Sequence, residues 1–288
     1  MGHCSEQRIV RVVELAMKLG TRHMADYGAT RSRHDFTQRQ LMTCLILRAY
    51  MKTTYRGVVE ALASSAELRE KLGLQDKLPH YTTLQKFSLR SQVVAIAQQL
   101  VSQIGQAALR QGPEAAAMDS TGLSTTAASD YYRLRSGKSR REWAKVSVIV
   151  LCGSLLPLSL AVSWGPSNDR SQARELLSQV SPACAPSKLY ADIGYDAEWI
   201  HVHCREKLGV ESVIKPGPQL RADGGRHGKW RPQMNENYLK EQSYGKRWSV
   251  ESFFSAMKRT MGPNLSARSR AGLLAEAAIR VLAYALRR

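Results

Sequence analysis

Residues 243–259 read SYGKRWSVESFFSAMKR. At about 100° per residue, Tyr244, Arg247, Glu251 and Lys258 fall within an arc of roughly 60°. Val250, Phe253, Phe254 and Met257 fill the neighbouring arc. The spacing predicts one helix with an apolar stripe for a core and an ionisable stripe beside it. Taken alone, Arg247 four residues before Glu251 is equally an ordinary surface ion pair. What the stripe does depends on what the rest of the chain brings to it.

Upstream, two short apolar runs each end in an aspartate. Residues 115–118 lead to Asp119 in MDST, and residues 188–191 lead to Asp192 in YADIGYDA. A further strand is predicted over 210–215. Residues 146–164 contain no charge, nominally enough to span a membrane, but Gly153, Ser154 and Pro157 interrupt them. Two strands joined by a tight turn explain that run better. Helices are predicted after GPSND (165–169), over 196–208 and at the C-terminal end, with a Gly-, Arg- and Pro-rich loop at 217–237.

Residues 1–110 read as helical throughout. One helix is expected over 7–27, and TQRQ (37–40) is a capping box that opens a second. A third is expected from Thr54 to Leu72, and a long fourth from Tyr81 to Arg110. The expected organisation is therefore an all-helical region over 1–110, then an α/β region over 111–288 with a mixed five-stranded sheet that starts as a meander.

If the strands ending at Asp119 and Asp192 are neighbours, both carboxylates emerge at one sheet edge, and Glu251 can face them. Three carboxylates at one point repel each other unless a cation neutralises them. Hard divalent ions with oxygen ligands suit that role. Two such ions about 3.5–4 Å apart would clamp the oxygens of an in-line phosphoryl displacement. Each Asp alone is also a common strand-end turn residue, so only the conjunction carries the inference.

Net charge is +18, from 42 Lys and Arg against 24 Asp and Glu, which points to a polyanionic partner such as nucleic acid. The excess is uneven: +8 over 1–110, +5 over 131–145, +5 over 221–260 and +4 over 261–288, against −3 over 111–130 and −1 over 146–220. YYRLRSGKSRREWAK (131–145) holds six basic and three aromatic residues among its fifteen, a composition suited to phosphates and bases. Arg135, Lys138, Arg140 and Arg141 in it, with Lys229 further on, are candidate DNA contacts. The five cysteines are scattered without a CxxC pair, as expected of a cytoplasmic chain with reduced thiols, and no membrane association is expected. His201, His203 and Cys204 alternate without a second cluster, a weak zinc pattern.

The motifs around Asp192 and Glu251 resemble the DDE transposases of bacterial insertion sequences. Tyr244, Arg247, Glu251 and Lys258 match the Tyr-Arg-Glu-Lys signature of that group, with two, three and six residues between them. MDST fits the first Asp motif, and GPSND resembles the Gly-Asn-His-Asp element of compact members, without its His. The resemblance runs over about 36–284. Ala285 stands after Tyr284 where relatives often have Asn, a matter of packing more than catalysis.

The resemblance implies an RNase H-like catalytic core, with Asp119, Asp192 and Glu251 as catalytic ligands of Mg²⁺, for which Mn²⁺ can substitute. It implies cleavage of double-stranded DNA at the element's inverted repeats and transfer of the 3′-hydroxyl to target DNA. Tyr244, Arg247 and Lys258 would hold DNA, residues 1–110 would serve DNA binding and dimerisation, and a homodimer would pair two ends. Its place would be the bacterial cytoplasm, in association with the nucleoid. The 59 positions from Asp192 to Glu251 suit a compact member without an inserted domain. The alternatives are a non-catalytic DNA binder that retains the fold and a nuclease without strand transfer.

Overall fold

The computed structural model describes residues 3–31, 33–125, 142–217 and 227–288. The chain forms two compact units, one of Met1–Leu100, Ser124–Ser139 and Met257–Arg288, the other of Val101–Leu123 and Arg140–Ala256.

The first unit contains α1 (His3–His23), α2 (Gln38–Tyr50), α3 (Tyr55–Ser64), α4 (Ala66–Leu72) and α5 (Tyr81–Ser88). The chain then runs through α6 (Gln92–Leu109) toward the second unit. Helix α2 is buried on nearly every side, and its central run LMTCLIL (41–47) is almost wholly apolar around the circumference. It packs against α1, α3, α5 and the C-terminal helix. The expected capping box is present: Thr37 N–H donates to Gln40 Oε1 at 2.8 Å, and Gln40 N–H to Thr37 Oγ1 at 3.3 Å. The same Gln40 side chain donates to the carbonyls of Leu72 and Gly73, each at 3.0 Å, so one glutamine closes two helix ends. Gly73 has φ +64°, the left-handed conformation a helix C-terminus often adopts.

Two expected helices are each broken in two. Ser65 ends α3 and caps α4, its hydroxyl accepting from Leu68 N–H. The chain breaks again after Ser88, whose hydroxyl donates to the Gln85 carbonyl at 2.8 Å. Serine competes for backbone partners, and apolar periodicity does not register that competition.

The second unit is built on a mixed sheet. β1 (Ala116–Thr125), β2 (Trp143–Leu151) and β3 (Pro157–Gly165) form the antiparallel meander. Then follow α7 (Arg170–Ser178), β4 (Lys188–Ala191), α8 (Glu198–Val202), β5 (Glu211–Ile214) and α9 (Glu236–Glu241). Strand order is β3-β2-β1-β4-β5, with β4 and β5 parallel to β1. This is the expected five-stranded mixed sheet. Within the first unit a short strand, β6 (Asn264–Leu265), pairs the last two residues of β1, Ser124 and Thr125. The helix expected over 196–208 is α8 followed by one π-turn, His203–Lys207.

Met118, Ile149, Leu158, Leu176, Leu177, Leu189, Tyr195, Ile200 and Ile214 are among the side chains of this unit's core. Gln179 closes the outer edge of β3, accepting from Leu160 N–H at 3.1 Å and donating to its carbonyl at 2.8 Å. That supplies the partners an edge strand otherwise lacks. Two glycines make room for one indole: a Cβ at Gly122 or Gly165 would lie 2.8 or 2.2 Å from Trp143. Chain order then continues through the 3₁₀ turn Tyr244–Arg247, α10 (Trp248–Met261), β6 and α11 (Arg270–Arg287).

Candidate active site

Asp119 was expected just beyond its strand, yet β1 continues to Thr125. Backbone pairing to β2 carries on through Asp119↔Val148 and Ser120↔Ser147, because a ladder needs no apolar side chains. Parallel pairing to β4, however, stops at Met118↔Ala191. Asp119 and Asp192 are thus the next residues on two neighbouring strands, at the point where the sheet opens. Each is held by the following backbone N–H: Ser120 N donates to Asp119 Oδ1 and Ile193 N to Asp192 Oδ1, both at 2.7 Å.

The helix expected over 243–259 begins as a 3₁₀ turn, with Ser243 at φ +57° before it. In a 3₁₀ turn residues three apart eclipse, so Tyr244 and Arg247 still share a side. Val250, Phe253, Phe254 and Met257 are buried, as the apolar stripe predicts. Arg247 bridges the acids, with Nη2 2.5 Å from Glu251 Oε1 and Nη1 3.6 Å from Asp119 Oδ2. Tyr244 donates its hydroxyl to the carbonyl of Ala191 at 3.1 Å, directly before Asp192. Lys258 lies two turns beyond Glu251 on α10, and burial pushes its ammonium pKa down.

The electrostatics are those of crowded carboxylates. Burial pushes the Asp119 carboxyl up to about 6; the Ser120 N–H and Arg247 oppose this, and the charges of Asp192 and Asp169 add to it. The Tyr244 phenol is pushed up to about 12, first by burial, with the charges of Asp192, Asp119 and Glu251 adding to it and Arg247 opposing it. Next to Asp119 in β1, the Ser120 hydroxyl bonds both Ser147 Oγ at 2.7 Å and Tyr195 Oη at 2.8 Å, a part-buried polar cluster that ties β1 to its neighbour β2.

A family profile described as Transposase DDE domain matches residues 110–286, more than half of the chain. The chain belongs to the DDE transposase family. No curated protein matches it significantly.

In this transposase the structure adds two residues to the neighbourhood of the acids. Asp169 lies in the GPSND element, and its charge reaches Asp119 and Tyr195. Lys145 is 5 % exposed, pairs with Asp169 Oδ1 at 2.7 Å and donates to the Ser167 carbonyl at 2.6 Å. The GPSND element stands out in the sequence, but no local signal there marks Asp169 as a neighbour of the acids. Lys145, expected at the end of the basic loop 131–145, belongs to β2. An isolated Lys in an otherwise apolar strand was the signal to follow.

Lys229 is engaged locally, with Nζ 3.3 Å from Glu206 Oε1 and 4.4 Å from the Trp230 ring centre. Arg135, Lys138, Arg140 and Arg141 lie outside the described residues. The donor set of Asp119, Asp192 and Glu251 is all oxygen, which suits a hard divalent cation. Arg247 already supplies positive charge to two of the three. Among the described residues no three His, Cys, Asp or Glu side chains are gathered closely enough to hold an ion in this arrangement.

Of the weak zinc pattern, His201 and Cys204 are core residues and His203 is half-buried. Cys204 is buried and its thiol pushed up to about 12, chiefly by that burial. His201 Nδ1 lies 2.8 Å from Ser212 Oγ, its Nε2 is buried without a hydrogen-bond partner, and burial pushes its pKa from 6.5 down to about 4. Because the folded pKa is depressed, the unfolded chain binds the proton first, and stability falls as pH drops from 6.5 toward 4. The expected loss is about 3 kcal/mol at the lower end. Urea unfolding at pH 7 and pH 4.5 checks it: His201→Gln should flatten the wild-type profile, and identical profiles would refute the assignment.

Proposed function

We propose that Asp119, Asp192 and Glu251 are the catalytic acids of this transposase, which cleaves the inverted-repeat ends of its element and joins the 3′-hydroxyl to target DNA. The observation that carries this reading is the adjacency of Asp119 and Asp192 at the opening between β1 and β4, with Glu251 joined to Asp119 through Arg247. Divalent Mg²⁺, or Mn²⁺ in its place, would be held by these three carboxylates and would supply charge stabilisation for in-line phosphoryl transfer, with two ions as the fullest form. The chain's own residues do the rest. Ser120 and Ile193 N–H groups orient two of the carboxylates. Tyr244 fixes the end of β4. Arg247 balances the acids' charge until phosphate oxygens arrive, then offers them the same fork.

Trp248, next to Arg247, is 66 % exposed and presents an aromatic face on which a base can stack. Lys258 completes the basic side of the helix as a phosphate contact. Among the described residues no helix is long and apolar enough to cross a membrane. In this reading the protein works on chromosomal DNA in the cytoplasm as a homodimer that pairs two ends.

The test is a DNA fragment bearing paired inverted repeats, incubated with Mg²⁺ or Mn²⁺. Ion-dependent nicking at the repeat ends and recovery of joined products support the proposal. Nicking without joined products would leave a nuclease, and no nicking would leave a DNA-binding protein. A separate expectation follows from the +18 charge. Duplex affinity should fall by about 10²-fold or more between about 50 and 200 mM salt, since each phosphate contact releases counterions. Anisotropy titrations measure this, and a flat response would remove DNA as the target of that charge.

A further inference from the structure

The unit made of Met1–Leu100, Ser124–Ser139 and Met257–Arg288 holds a cleft of about 710 Å³ that the acids do not use. Its lining includes four basic side chains, Arg48, Lys52, Arg268 and Arg280, and one acidic one, Glu276. Glu276 is already spent. Arg280 Nη2 donates to it at 2.7 Å, and the N–H groups of Ser266 and Ala267 also donate to its carboxylate. Two helices begin at the cleft. Thr54 caps α3 and Ser269 caps α11, and both line it. First-turn N–H groups and the helix dipole favour an anion there.

An independent observation points the same way. Arg48 is only 8 % exposed. Its Nη2 donates to Ser266 Oγ at 2.9 Å, and its guanidinium stacks 4.2 Å from the Tyr55 ring centre. Its Nε is buried with no hydrogen-bond partner. A donor left unmade at that depth is costly, and the Arg48 guanidinium that lines the cleft is bonded to a neutral hydroxyl rather than to a carboxylate, which leaves its charge for an anion.

We propose that this cleft is a second phosphate site, which takes a phosphodiester of a nucleic-acid strand. Its volume is that of a ligand pocket, roughly 300–1,000 Å³, more than one phosphate needs. Leu89, Met261 and Pro263 add apolar lining suited to the sugar beside the phosphate. The proposal shares with the proposed function only the premise that the partner is DNA; it does not need the acids to be catalytic.

The test is the double variant Lys52→Glu/Arg268→Glu, since both side chains are exposed and their replacement spares the core. Circular dichroism and thermal melting confirm that the fold is kept. Affinity for duplex DNA should drop about tenfold or more, and the slope of log K against log salt should become shallower by about 1–2. Binding of inorganic phosphate, followed by ³¹P line broadening, should weaken in parallel. Unchanged DNA affinity and slope overturn the proposal. Lost phosphate binding with unchanged DNA binding overturns it too, by showing a small-anion pocket instead. If the wild-type protein binds DNA but never cleaves it, the acid assignment fails while this test is still read in full.

Discussion

Asp119→Asn, Asp192→Asn and Glu251→Gln should each lower ion-dependent cleavage of element-end DNA by about 10³-fold or more, with DNA affinity expected within about threefold of wild type. The reason is chemical. An amide keeps the shape of a carboxylate and can still accept the N–H bonds from Ser120 and Ile193, so the strand ends stay in place. It carries no charge for a divalent ion. A factor of 10³ corresponds to about 4 kcal/mol of transition-state stabilisation, a plausible loss for one ion ligand. DNA affinity rests mainly on basic side chains, which these substitutions leave alone. Single-turnover cleavage of end-labelled duplex, beside anisotropy with the same duplex, makes the comparison. Wild-type cleavage by any one of the three variants removes that residue from the assignment.

Glu276→Leu should cost about 3–5 kcal/mol of stability. Glu276 is 5 % exposed, and it holds Arg280, itself 9 % exposed, together with the 266–267 backbone. Removing the acid leaves a buried guanidinium whose remaining described bond is to the Gly262 carbonyl at 2.7 Å. Removing both charges is less harmful, because the uncompensated ion goes with them. The double variant Glu276→Leu/Arg280→Met should therefore be more stable than Glu276→Leu alone, by about 1 kcal/mol or more. Urea midpoints at constant m-value measure this. A single variant that loses less than about 1 kcal/mol would show that the pair is not buried in the sense argued.

Much of the site could be read in linear order because its signals are local. Asp119 and Asp192 follow short apolar runs, and the stripe of Val250, Phe253, Phe254 and Met257 marks its own buried side. The Thr37–Gln40 box announces a helix start through bonds three residues apart. Where reading failed, the cause was a competing partner that periodicity does not register. Ser65 and Ser88 divide helices whose apolar pattern runs straight through them. Asp169 and Lys145 escaped notice because each looks ordinary alone, a loop acid and a loop base, until β2 and the GPSND turn bring them to 2.7 Å.

By itself the sequence determined the family signature, the basic charge and the α/β character, and it offered Asp119, Asp192 and Glu251 as candidate acids, since all of these are written in residue type and short spacing. Only the tertiary structure decided that β1 and β4 lie side by side in the register Met118↔Ala191, which sets Asp119 beside Asp192. It alone decided that Arg247 joins Glu251 to Asp119, and that Arg48 sits buried with an unpaired Nε. Partners distant in the chain meet because strand pairing and core packing place them, and no local spacing encodes that choice.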